Sequence, residues 1–176
     1  MTTSLLAEGF NHHVWATLRL IDVCLGLSED QLQTTVPGTY GSILDTMRHL
    51  VGGDTDYLHV LTGGEVAQVD ETTMDLRALR DEMVRNEGRW ADAIQRHPDP
   101  DEVIVRHRDD GSESAAQAGT RLHQALHHGT DHRSQICTAL TSLGVEPPEI
   151  DVWAYAWDKG TLTETEPTVA TATTDA

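Results

Sequence analysis

Apolar residues recur every three or four positions along most of this 176-residue chain, and that period leaves few folds open. Leu6, Phe10, Val14, Leu18, Ile21 and Leu25 share one stripe of a first long helix, expected from Ser4 to about Leu27. Ser28-Glu29-Asp30 and the Thr34–Thr39 stretch, with Pro37-Gly38, read as a connection. A second helix is expected from Ser42, a capping residue type, to about Thr62, before Gly63-Gly64. A third runs from about Thr73 to Arg96 or His97, where Pro98 stops it. A fourth begins between Ser114 and Thr120 and ends near Leu143, with Gly144 as its stop. Glu102–Arg108 is the one good strand candidate, closed by the turn signal Asp109-Asp110-Gly111. Beyond Pro147-Pro148 a short helix is expected over Asp151–Trp157. The fold class is therefore all-α: a four-helix bundle with a short strand or loop excursion between the third and fourth helices and a short C-terminal helix. The long excursion allows a non-sequential order of helices. Residues 1–160 read as the bundle, and the Thr-, Ala- and Glu-rich residues 161–176 as a flexible tail.

The formal net charge is −17, from 12 basic and 29 acidic residues. Phosphate backbones are bound by clustered Lys and Arg, so nucleic acid is not an expected partner, and neither is an anionic membrane. No run of about 18 apolar residues exists to span a bilayer. The first residues lack a basic region, and His12, His13 and Arg19 interrupt the apolar run, so no secretory leader is expected and the default location is cytoplasmic. The two cysteines, Cys24 and Cys137, lie in apolar helical patterns, which suits buried thiols in a reducing compartment.

Four of the ten histidines fall between positions 123 and 132, in the segment HQALHHGTDHRSQI that runs from His123 to Ile136. They form two i,i+4 pairs, His123/His127 and His128/His132, and residues so spaced lie one turn apart on one helix face. With an ideal helix turned about 100° per residue and His128 at zero, His132 falls at about 40°, among Ala125, Gly129, Ile136 and Ala139. His123 and His127 fall at about 220° and 260°, with Thr130, Asp131 and Thr138. His128 and His132 therefore look inward, and two inward imidazoles one turn apart can grip one metal ion, as in zinc-binding helices. Cys137, five residues after His132, lies off that face.

A catalytic zinc-like site usually has three protein ligands and one open position. Outside the fourth helix the candidates are His13, His49, His59, His97 and His107. His49 and His59 lie about equally far from the centre of the second helix's apolar stripe. Gly52 and Gly53 follow His49 and leave room there for an ion or ligand. His13 borders the apolar stripe of the first helix. Asp45 and Asp56, on the His49 side of the second helix, are candidates to orient an imidazole. Arg133 projects toward the apolar side of the fourth helix, where it could pair with a buried carboxylate or bind a substrate carboxylate.

The segment His128-Gly-Thr-Asp-His132-Arg133-Ser134-Gln135-Ile136 resembles the H-x-x-x-H-R-G-Q pattern of the DinB-like, YfiT-like metalloenzymes, with Ser134 where Gly is usual. Ser42–Gly52 (SILDTMRHLVG) is similar to the second-helix segment that carries that family's remaining metal histidine, and Asp151…Tyr155 after a Pro-containing loop is a third piece. The resemblance spans most of residues 4–157. It implies a four-helix bundle, often a homodimer, with His49, His128 and His132 around a divalent metal, usually Zn²⁺ or Ni²⁺. Relatives include thiol-dependent S-transferases and a mycothiol-dependent isomerase.

Three neutral histidines leave the ion its full charge and an open position, which acidifies a bound water or thiol. The function expected is transfer of a low-molecular-weight thiol to a small-molecule electrophile. The alternatives are a metal-dependent hydrolase of the same fold and a non-catalytic, metal-stabilised binding or dimerisation module. One Lys, Lys159, against 11 Arg hints faintly at a GC-rich, mycothiol-using source. No G-x-S-x-G elbow, P-loop or dinucleotide fingerprint is present. The aromatic cluster Trp153, Tyr155 and Trp157 suits either packing of the terminal helix or an interface. The roles of His12, His13, His59, His123 and His127 stay open.

Overall fold

The structure is a computed structural model and describes residues 4–165. Its elements in chain order are α1 (Leu5–Cys24), α2 (Glu29–Leu32), α3 (Ile43–Leu61), α4 (Leu76–Arg96), β1 (Val103–His107), β2 (Glu113–Gln117), α5 (Ala118–Ser142) and α6 (Val152–Asp158). The four long helices form the expected bundle. α1 and α3 each pack on both α4 and α5, so α1 and α3 stand at opposite corners, a non-sequential order. The core runs the length of the bundle through Phe10, Leu20, Met47, Leu50, Leu58, Met83, Trp90 and Ile136. Phe10 of α1 and Trp90 of α4 meet ring to ring, centroids 4.3 Å apart. No helix among the described residues is long and apolar enough to cross a membrane.

Side chains that start the helices fix the bounds. Ser4, Ser42, Asp75 and Asp151 each accept a backbone N–H from the first turn of α1, α3, α4 and α6. α4 starts at Leu76 rather than near Thr73, because Asp75 takes the cap. α1 stops at Cys24, short of Leu27, and Ser28 then caps the one-turn α2 through a reciprocal box with Gln31. The chain leaves α3 and α5 through Gly63 and Gly144, at φ +63° and +72°.

Glu102–Arg108 is a strand over Val103–His107, and it has a partner that composition conceals. Glu113–Gln117 pairs with it antiparallel across the Asp109-Asp110-Gly111 turn. ESAAQ has helix-forming Ala and Glu, so it reads as a helix start; pairing with β1 overrides that weak preference. The base of this hairpin then supplies the cap that Gln117 does not: Ala118 N–H donates to Glu102 O and Gly119 N–H to Pro100 O. Of residues 161–176, those from 166 onward lie outside the described residues.

Candidate metal centre

α3 and α5 lie side by side and bring His49, His128 and His132 together: one nitrogen from each falls within 4.8 Å of the others. Among the described residues the group is these three. His49 Nε2 and His128 Nε2 are 3.2 Å apart. The ring of His132 stands edge-on to both, 4.4 Å from His128 and 4.9 Å from His49 between centroids.

The close approach rests on Gly53. A Cβ there would run into the His128 ring. Its neighbour Gly52 does the same for Glu71, whose side chain lies where a Cβ would be. The two glycines do leave room, but protein groups fill it: an imidazole from α5 and a carboxylate from the α3–α4 connection.

Two of the three imidazoles are oriented from behind. His49 Nδ1–H donates to Glu71 Oε2 at 3.2 Å, and His132 Nδ1–H donates to Gln135 Oε1 at 3.1 Å. A carboxylate can only accept. Gln135 Oε1 also accepts Tyr40 N–H at 2.9 Å, which fixes the amide's direction. Both rings therefore hold their protons on Nδ1 and turn an Nε2 lone pair toward the centre. Tyr40 stacks flat on His49, centroids 4.0 Å apart and planes 4° apart. His128 Nδ1 is buried and finds no protein partner among the described residues.

Burial first, then the neighbouring His132 and His49, push the His128 imidazole down to about 4. His132 is lowered too, again chiefly by burial. Both are thus neutral at physiological pH, the state a metal ligand needs. A tetrahedral ion with metal–nitrogen bonds of about 2.0–2.1 Å would hold two ligand nitrogens roughly 3.3 Å apart. The 3.2 Å between His49 and His128 matches that edge, and three imidazole nitrogens suit a borderline divalent cation. The group could hold a divalent metal.

Beside it the bundle surface opens into a cleft of about 610 Å³, lined by Tyr40, Gly41, Asp45, Arg48, Glu71 and Thr72. Of the groups around the centre, Glu71 and the stacking Tyr40 stand in that wall, and the side chains of His49 and Glu71 are 27% and 39% exposed.

A second polar group crosses the bundle diagonal. His13 of α1 donates from Nε2 to Asp54 Oδ2 of α3 at 2.8 Å, and its Nδ1 accepts from Arg133 Nη1 of α5, also at 2.8 Å. Arg133 donates further to Thr17 and Thr130. The buried Asp54 and Arg133 charges thus offset each other across one neutral imidazole. Gly129 makes room for the His13 ring, as Gly53 does for that of His128.

The other candidates fall elsewhere. Asp45 accepts from the Ser42 hydroxyl at 2.7 Å, in the first turn of α3. Asp56 receives both arms of Arg106 from β1, at 2.6 and 2.7 Å. Neither reaches an imidazole of the centre, and Glu71 stands where they were looked for. His59 and His97 bond the carbonyls of Val66 and Leu61, and His107 pairs with Glu113 in the hairpin. His12 bonds the Ile150 carbonyl. His123 and His127 face solvent. Cys24 and Cys137 are free thiols, and burial pushes that of Cys24 up to about 12. Reasoning along the sequence did not find Glu71, Tyr40 or Asp54. Gln135, three residues after His132, carried a signal in its i,i+3 spacing.

No curated protein matches the chain. The model of the DinB family, in contrast, matches residues 1–167, nearly the whole length, and takes in all three histidines of the centre. By that match the chain belongs to the DinB family.

Proposed function

We propose that this protein is a metal-dependent enzyme that binds one Zn²⁺ or Ni²⁺ through His49, His128 and His132 and transfers a low-molecular-weight thiol to a small electrophile. The observation that carries the reading is a three-histidine group whose nitrogens converge, beside a surface cleft walled by Tyr40 and Glu71. A divalent ion held by three neutral ligands lowers the pKa of a thiol or water bound to it. Glu71 and Gln135 keep the His49 and His132 rings in the ligating tautomer and orientation. Tyr40 shields one face of His49 from water. Arg48 and the half-exposed Glu71 bring both charge signs to the cleft where a substrate enters.

A hydrolase of the same site is the second reading. It is favoured by the Glu71 carboxylate, which lines the open side and could take a proton from an attacking water. Homodimerisation belongs to this proposal as well; Trp153 and Trp157, 70% and 62% exposed on α6, suit an interface.

The test begins with elemental analysis of untagged protein purified without added metal, beside His128→Ala. About one equivalent of Zn or Ni in the wild type and its loss in the variant are expected. Metal-loaded protein should then consume 1-chloro-2,4-dinitrobenzene in the presence of a small thiol, and chelated protein should not. Ester or amide cleavage without thiol would select the hydrolase. Folded protein that takes up neither metal, even after reloading, would end the metalloenzyme reading.

A further inference from the structure

Between α1, α5 and the segment leading into α6 lies a second cleft of about 580 Å³, and none of its lining residues belongs to the three-histidine group. Leu126, Cys137, Ile150 and Val152 make much of its wall apolar. Arg133 also lines it, although only 4% of that residue is exposed.

A guanidinium carries five N–H donors. Arg133 uses Nη1 on His13 and Thr17 and one Nη2 hydrogen on Thr130. Its Nε–H and second Nη2–H meet no acceptor among the described residues. Nε–H and an Nη2–H together form the side-on edge by which Arg grips a carboxylate in two parallel bonds. The same molecule shows that grip at its surface, where Arg80 holds Asp22 through Nε at 2.6 Å and Nη2 at 3.3 Å. Arg133 touches no carboxylate directly; Asp54 lies beyond His13.

We propose that this cleft binds a small organic monocarboxylate, its carboxylate on the Nε–H/Nη2–H edge of Arg133 and its hydrocarbon body against Leu126, Cys137, Ile150 and Val152. The other groups around the cleft narrow the choice. His12 is engaged with the Ile150 carbonyl. Asp151 stands in the wall, where it caps α6, and Asp54 lies behind His13. A second negative charge on the ligand would meet these two carboxylates, so dicarboxylates are disfavoured.

The test uses the full chain, both Zn²⁺-loaded and chelator-treated, with hexanoate titrated by calorimetry and hexanol and adipate as controls. Cys137 lines the same cleft, so its alkylation by N-ethylmaleimide, read by mass spectrometry, gives a second signal. Hexanoate is expected to bind with or without metal, to slow Cys137 alkylation, and to outcompete hexanol and adipate at least tenfold. Arg133→Lys, which loses the fork, should weaken binding about tenfold or more. Because Arg133 is buried, Val152→Trp provides a second variant: Val152 is 61% exposed, and a bulky ring there should close the cleft without touching the guanidinium. The inference is overturned if hexanoate fails to bind, if Val152→Trp binds it normally, or if hexanol binds equally well. Binding that vanishes on metal removal or in His128→Ala would place the carboxylate at the metal centre and also overturn it. The inference does not depend on the proposed chemistry, which can fail while this site stands.

Discussion

Glu71 shows how much one side chain can contribute from outside a ligand set. It is the only carboxylate bonded to an imidazole of the centre among the described residues, and it holds His49 from behind. Removing such a support typically costs about 10–100-fold in metal affinity. Glu71→Ala should show that loss in competition with a chromogenic chelator while keeping wild-type circular dichroism. Gly53 is constrained by its neighbour rather than by its backbone. Gly53→Ala pushes a Cβ into the His128 ring, and overpacking of this kind costs about 1–3 kcal/mol, which urea unfolding would read. In metal-free protein His128 titrates near 4 rather than at 6.5, chiefly because it is buried. As pH falls through 6.5 the unfolded chain takes up a proton that the folded chain refuses until about 4, so stability is lost across that window and this contribution is absent above it. Chelated wild type should therefore lose more unfolding free energy between pH 7.5 and pH 5 than His128→Asn does.

At the level of elements, α3 positions the site. It carries His49, the two glycines that admit Glu71 and His128, and Asp54 on the bundle diagonal. Its start depends on the Ser42 hydroxyl, which accepts Asp45 N–H at 3.1 Å. Ser42→Ala should cost about 1 kcal/mol of global stability, measured by chemical denaturation. The β1–β2 hairpin has a comparable role for α5. It lends carbonyls to the helix's first N–H groups and fastens to α3 through Arg106 and Asp56. The long excursion between α4 and α5 thus anchors the helix that bears His128 and His132.

For the whole molecule, ligand linkage gives the clearest expectation. An ion that binds only the folded chain adds about 2.7 kcal/mol at a hundred times its Kd. For a domain of this size that corresponds to a Tm rise of roughly 5–10 °C, which differential scanning calorimetry with and without Zn²⁺ would detect, and which His128→Ala should abolish. Much of the architecture is already written in local pattern. The 3.6-residue period marks the four long helices, and the i,i+4 spacing turns His128 and His132 inward together, because both are properties of a single helix and need no neighbour. Which histidine of the second long helix would join them is not such a property. His49 and His59 lie equally far from the stripe centre, and only the packing of α3 against α5 separates them, sending His59 to the Val66 carbonyl. Glu71 lies in a connection with no period to read. β2 adopts its strand only because β1 is beside it. The Asp54–His13–Arg133 chain joins three helices across sequence separations of 41 and 120 residues. Such contacts depend on how the helices sit against one another, and that is decided when the core closes.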